Sequence, residues 1–197
     1  MRKKVCSAYA KKEIIQSILI GSIALPTSIF IAALVVSTSI LDFFVLHFAQ
    51  NLAYIFVILF LFFSGAYLLF SGLLKLCGLE TTDICRYIHT ELQPEEMNLT
   101  EKEMLALVDS DLERSAVFGG ENILIGQEWL FVKNAWGKPI IHLKNIHSIN
   151  ENKTKNSKII LKIMNQQGVG PVTRELSIAE AGVIKAYLQS NVPHLEC

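Results

Sequence analysis

Hydrophobic and polar positions follow three successive rhythms along this chain. From Ile14 to Leu41, and again from Phe43 to Leu74, apolar residues run on with no Lys, Arg, Asp or Glu, broken only by Asp42. Each run exceeds the roughly 20 apolar residues that a helix needs to cross the hydrocarbon core of a bilayer. The first third therefore predicts two membrane-spanning helices, over 14–41 and 52–74, with a short loop at 42–51. After Leu74 the rhythm becomes helical. Thr81 to Leu92 predicts a short helix stopped by Pro94, and Thr100-Glu101-Lys102-Glu103 is a capping box. That box opens a helix to about Ser110 with Met104, Leu105, Leu107 and Val108 apolar.

From Arg114 the signals turn to strands. Ala116–Phe118, Ile123–Ile125, Trp129–Val132, Pro139–Leu143, Asn145–Ile149, Lys158–Met164 and Val172–Leu176 are short apolar or alternating runs separated by turn residues. Their spacing suits antiparallel meanders and leaves no room for the long crossovers of parallel βαβ units. A second capping box, Ser177-Ile178-Ala179-Glu180, opens a final helix to about Ser190, with Ala181, Ile184 and Leu188 as its apolar stripe. The predicted fold class is thus a membrane α-hairpin plus an α+β soluble domain. Residues 1–13 form a basic tail, 75–99 a juxtamembrane linker and 100–197 the soluble domain.

Charge orients this arrangement. The chain has 18 basic and 18 acidic residues, which gives no global bias toward nucleic acid. The distribution is uneven, however. Arg2, Lys3, Lys4, Lys11 and Lys12 precede the first run, Lys75 and Arg86 follow the second, and the loop between has neither Lys nor Arg. Under the positive-inside rule both termini are expected in the cytoplasm of a multi-pass cell-membrane protein. A mean hydropathy of +0.39 agrees with a chain that is part membrane and part soluble. Cys6, Cys77, Cys85 and Cys197 are then expected to stay reduced, and the sequons at Asn98 and Asn152 to stay unmodified.

The interior of the two runs narrows their role. Ser17, Gly21, Ala24, Ser28 and Ala32 recur every three or four residues and so share one helical face; Gly65 and Gly72 lie a heptad apart in the second run. In lipid, small residues let backbones approach closely, which predicts packing within the hairpin or between two copies. Pro26 is expected to kink the first helix. No ionisable residue lies deep in either run, which argues for an anchor over a conduit.

No P-loop, nucleophile-elbow or zincin motif occurs. Cys77, Cys85 and His89 match no standard zinc spacing, so no metal or cofactor is expected. His142 and His147 read as satisfied structural histidines, and Gly168-Val169-Gly170-Pro171 as a hairpin turn. Lys153, Lys155, Lys158 and Lys162 cluster around one predicted hairpin. They are the candidate contacts for an anionic lipid headgroup, each worth about 1 kcal/mol near a charged surface.

A meander closed by one amphipathic helix resembles the pleckstrin-homology-like (PH-like) fold, a bent antiparallel sheet or half barrel plugged by its last helix. The stretch Ile123 to Leu130, followed by Ile140 to Ile146, is similar to bacterial two-span membrane proteins with a PH-like cytoplasmic domain. In those proteins a strand enters a Trp-Leu pair, here Trp129-Leu130, and a later strand carries leucine, any residue, Asp, Ile. This chain has Asn145 at the Asp position. The resemblance implies a non-enzymatic interaction or scaffold module, with membrane lipids and a protein partner or second copy as its contacts. The alternative is an accessory or regulatory subunit of a larger membrane complex.

Overall fold

The two uncharged runs fold as helices α1 (Val5–Ser37) and α2 (Phe48–Leu76). Both are long and apolar enough to cross a membrane, over Val5–Leu34 and Leu52–Leu76. The computed structural model describes residues 4–37, 48–78, 80–92, 98–120, 122–192 and 195, so most of the predicted 42–51 loop lies outside the described residues. By packing, Lys11–Thr82 forms one unit, and Met1–Ala10 with Asp83–Cys197 forms the other. Helix α1 starts nine residues before the uncharged run, because Lys11, Lys12 and Glu13 are good helix formers and nothing before them breaks the turn. It also continues past Pro26 to Ser37.

Within the hairpin unit the small residues set how closely α1 and α2 approach. A Cβ added at Gly21 would lie 2.5 Å from the backbone nitrogen of Leu69 and 2.8 Å from the carbonyl oxygen of Gly65. A Cβ at Gly65 would meet that of Ala24 at 3.0 Å, and one at Gly72 would meet that of Ser17 at 3.2 Å. Ser28 is buried and its hydroxyl donates to the Leu25 carbonyl, while Ala32 is half-buried. Toward the other ends of this contact, Lys75 pairs with Glu13 at 2.7 Å and Ser71 donates to Glu80 at 2.7 Å. Large apolar side chains cover the outside, with Phe56 73% exposed. That is the surface a helix presents to lipid.

In the second unit, α3 (Asp83–Glu91) and α4 (Glu101–Leu112) precede four antiparallel strands: β1 (Ala116–Phe118), β2 (Ile123–Ile125), β3 (Trp129–Val132) and β4 (Ile140–His142). Register puts Val117, Leu124, Phe131 and Ile140 in one cross-strand row, and Ala116, Ile125, Leu130 and Ile141 in the next. Alternate rows face opposite sides. Trp129, Phe131 and Ile140 pack with α3, α4 and the first turns of α1, where Cys6 and Ala10 are buried. Ile123, Ile125, Leu130, Val132 and Ile141 pack with the remaining strands and the last helix. Strand β3 is buried at every position because both of its faces are covered, which explains its unbroken apolar sequence.

Strands β5 (Ser148–Lys153) and β6 (Ile159–Met164) form a second antiparallel sheet. A 3-10 turn at Leu143–Asn145 takes residues predicted to be extended and delays β5 to Ser148. The predicted strand Val172–Leu176 forms only isolated bridges, to Trp136, Ile159 and Lys162. Two side-chain facts interrupt its ladder. Pro171 has no N–H to give, and the Thr173 hydroxyl accepts the Leu161 N–H at 3.0 Å. Helix α5 (Ile178–Asn191) closes the unit and buries Ala181, Ile184 and Leu188.

Both capping boxes form, at Thr100 with Glu103 and at Ser177 with Glu180. The cap hydroxyls, and secondarily the cap backbone N–H groups, hold both carboxyls below their ordinary value of 4.5. A carboxyl lowered on folding contributes stability above its unfolded pKa, and that contribution is lost as pH falls through the lowered value. Carboxyl carbon NMR titrations of Glu103 and Glu180 are therefore expected to give midpoints below 4.5; midpoints at or above it would refute the caps.

Helix α4 also carries two aspartates that serve distant backbone. Asp109 is buried and accepts from the amides of Cys6 at 2.7 Å and Ser7 at 3.2 Å, and from the Ser7 hydroxyl. These are free first-turn amides of α1, preceded by Lys4, whose side chain cannot accept. Asp111 accepts from Gln127, Glu128 and Trp129 at 2.9, 3.2 and 3.0 Å and so holds the β2–β3 turn. Any Cβ at Gly126 would overlap the Asp111 carboxylate.

Candidate functional site

The most elaborate polar arrangement in the sheet unit lies where α3 ends. Alternation of apolar residues along α3 buries Ile84, Cys85 and Ile88, and the same face carries Glu91 inward. The Glu91 carboxylate meets Lys138, from the β3–β4 turn, at 2.6 Å, with side-chain exposures of 1% and 6%. Lys138 also donates to the Thr90 hydroxyl at 2.8 Å, and its ammonium sits 5.8 Å from the Tyr87 ring centre. The second Glu91 oxygen accepts from the Asn145 amide at 2.8 Å and from the His142 backbone at 3.4 Å. Asn145 donates as well to the Glu91 carbonyl at 3.1 Å. A buried ion pair is tolerable only when its remaining lone pairs and protons are satisfied in this way.

This network accounts for an asparagine at position 145. An asparagine can donate to Glu91, whereas an aspartate would place a second carboxylate against a buried one. Asn145→Asp is expected to cost about 2–4 kcal/mol at neutral pH. Thermal unfolding of the purified full chain checks this, and an unchanged midpoint would contradict it.

Beside the cluster opens a cavity of about 270 Å³. Thr90 and Glu91 form one wall, Lys144, Asn145 and His147 a second, and the turn Asn165–Gln167 a third. The turn is shaped by the Asn165 side-chain oxygen, which accepts from the amides of Gln167 and Val169, both at 3.0 Å. A second cavity of about 290 Å³ lies against Glu128, His142 and Lys144.

The histidines differ in role. His142 is buried, its ring lies 4.9 Å from that of Trp129 at 71°, and its Nδ1 accepts the Lys144 N–H at 3.2 Å. His147 is exposed at the cavity mouth, where its side chain has no partner among the described residues.

Among the four lysines expected to meet lipid headgroups, register separates two. Register places Lys153 opposite Ile159 and Lys162 opposite Asn150, which are positions on opposite faces of the β5–β6 hairpin. Lys158 pairs with Glu175 at 3.4 Å, and Lys162 lies 3.2 Å from the Asn152 side-chain amide. Lys155 stands exposed in the turn between the strands. Cys85 is buried in the core and Cys77 is exposed. No cluster of three or more candidate metal ligands occurs among the described residues. Glu91 and Lys138 carried no motif. They lie 47 residues apart among other polar and charged residues, so no local sequence signal marks them.

Compared with known proteins, the chain matches no family model, no curated protein and no solved structure.

Proposed function

We propose that this protein is a membrane-anchored interaction module, its hairpin held in the cell membrane and its sheet unit of PH-like type working at the cytoplasmic face. The observation that carries the reading is the start of α1. A helix apolar enough to cross a membrane has its first turn built into the core of the sheet unit, where Cys6 and Ala10 are buried and Asp109 holds the Cys6 and Ser7 amides. A four-stranded meander, a second sheet and a closing helix support the PH-like assignment. The first turns of α1 are thus part of the module's fold. A fragment starting at Thr100 would leave Trp129 and Phe131 without the cover of α3 and α1, so binding is best tested on the full chain.

Trp136, Ile178 and Val183 are apolar side chains 57–62% exposed on this unit, and they are the places to look for a partner. A photo-crosslinking residue at each of the three positions, in the full chain in its own membrane, should give a discrete adduct with another polypeptide from at least one. Absence of adducts from all three overturns the interaction reading. Topology is tested separately through Cys77, which is exposed while Cys6 and Cys85 are buried. With Cys197→Ser in place, an impermeant maleimide should label Cys77 only after the cells are permeabilised. Labelling of intact cells would reverse the orientation.

A further inference from the structure

We infer that the 270 Å³ cavity beside Glu91 is a binding site for a small ligand carrying a phosphate group. The inference goes beyond the interaction module and does not depend on it. The electrostatics of the walls decide the ligand's sign. Glu91 is the one acid on the cavity, and its charge is already answered by Lys138 at 2.6 Å and by the Asn145 amide at 2.8 Å. The remaining ionisable groups there are Lys144 and His147, and neither side chain has a partner among the described residues. The net field at the opening is therefore positive.

The neutral wall adds free amide N–H donors. The Asn165 side-chain oxygen is consumed within its own turn by two backbone amides. The Gln166 and Gln167 side-chain amides are left exposed, and the Gln166 backbone N–H has no acceptor among the described residues. An ammonium, an imidazole and amide N–H groups on opposite walls suit an anion with several acceptor oxygens spread around one centre, which is the chemistry of a phosphate. Size sets the second limit. Pockets for drug-sized ligands begin at about 300 Å³, so this one suits a compact monophosphate ester or a lipid headgroup. Those two sources share the recognised group and differ in how they arrive.

The test uses the full chain in maltoside micelles, which contain no phosphate, at constant ionic strength. The readout is the NMR shift of the Gln166 backbone amide. Inorganic phosphate and phosphatidic acid added to the micelles are titrated separately. Saturation with inorganic phosphate supports the site and assigns a soluble phosphate ester; saturation with phosphatidic acid alone supports it and assigns a headgroup. In either case Lys144→Gln with His147→Gln should weaken binding by about tenfold or more, while Lys155→Gln should leave it unchanged. Both substituted residues are exposed, so the fold should survive. A shift that never saturates, or that saturates equally in the double variant, shows an adventitious ion only and overturns the inference.

Discussion

Lys138→Met is expected to remove about 3–5 kcal/mol from the sheet unit, since it strands the Glu91 carboxylate in a site where its side chain is 1% exposed. The methionine fills most of the lysine's volume, so lost packing contributes little. What remains is a charge whose other partners among the described residues are the neutral donors of Asn145 and His142. In a chain of this length that loss should lower the unfolding midpoint of the purified protein by about 10 °C. The double variant Glu91→Gln with Lys138→Met separates charge from shape. Removing both partners leaves no uncompensated ion, so the double variant should unfold above the single one. Equal midpoints for the two would mean that Lys138 acts through its contacts with Thr90 and Tyr87 instead.

The second large effect concerns the hairpin. Gly21→Leu should drive α1 and α2 apart, because even its Cβ would sit 2.5 Å from the Leu69 backbone nitrogen. Backbone cannot swing aside as a flexible side chain can, so the cost should reach about 3 kcal/mol, the upper end for overpacking. A crosslink reports the separation directly. Cysteines at Ser17 and Gly72 would have Cβ atoms about 3 Å apart, close enough for small adjustments to reach disulfide geometry. In the Ser17→Cys, Gly72→Cys chain, oxidation should give an intramolecular disulfide and no covalent dimer. Adding Gly21→Leu should abolish it, whereas Ala33→Leu on an exposed position should not. A covalent dimer as the main product would replace the hairpin contact with a seam between two copies.

How much of this was legible depended on whether the deciding partner was near in sequence. Two helices long enough to cross a membrane, both capping boxes and the runs that became β1 to β3 rest on contacts within a few residues, and periodicity reports those. The start of α1 was not legible, because its cap is Asp109, more than a hundred residues away, and Lys4 shows no capping character. Glu91 and Lys138 are 47 residues apart, so only the fold brings them together. The strand expected at Val172–Leu176 had suitable β-branched residues, but the Thr173 hydroxyl took the place of a backbone acceptor. Spacing along the chain brings Lys153 and Lys162 into one cluster, yet strand alternation sets them on opposite faces.

The placement of Cys6 has a consequence in time. Its amide waits for an acceptor 103 residues further along the chain. At roughly 5–20 residues per second, a ribosome needs on the order of 5–20 s to make that partner. Throughout the interval the first turn of α1 has an apolar side and unanswered amides, while the helix behind it is already complete enough to enter a bilayer. A segment synthesised 103 residues ahead of its partner therefore reaches its final surroundings only after that partner has been made. A pause in translation before Asp109 lengthens the period in which that turn is open to capture by something else.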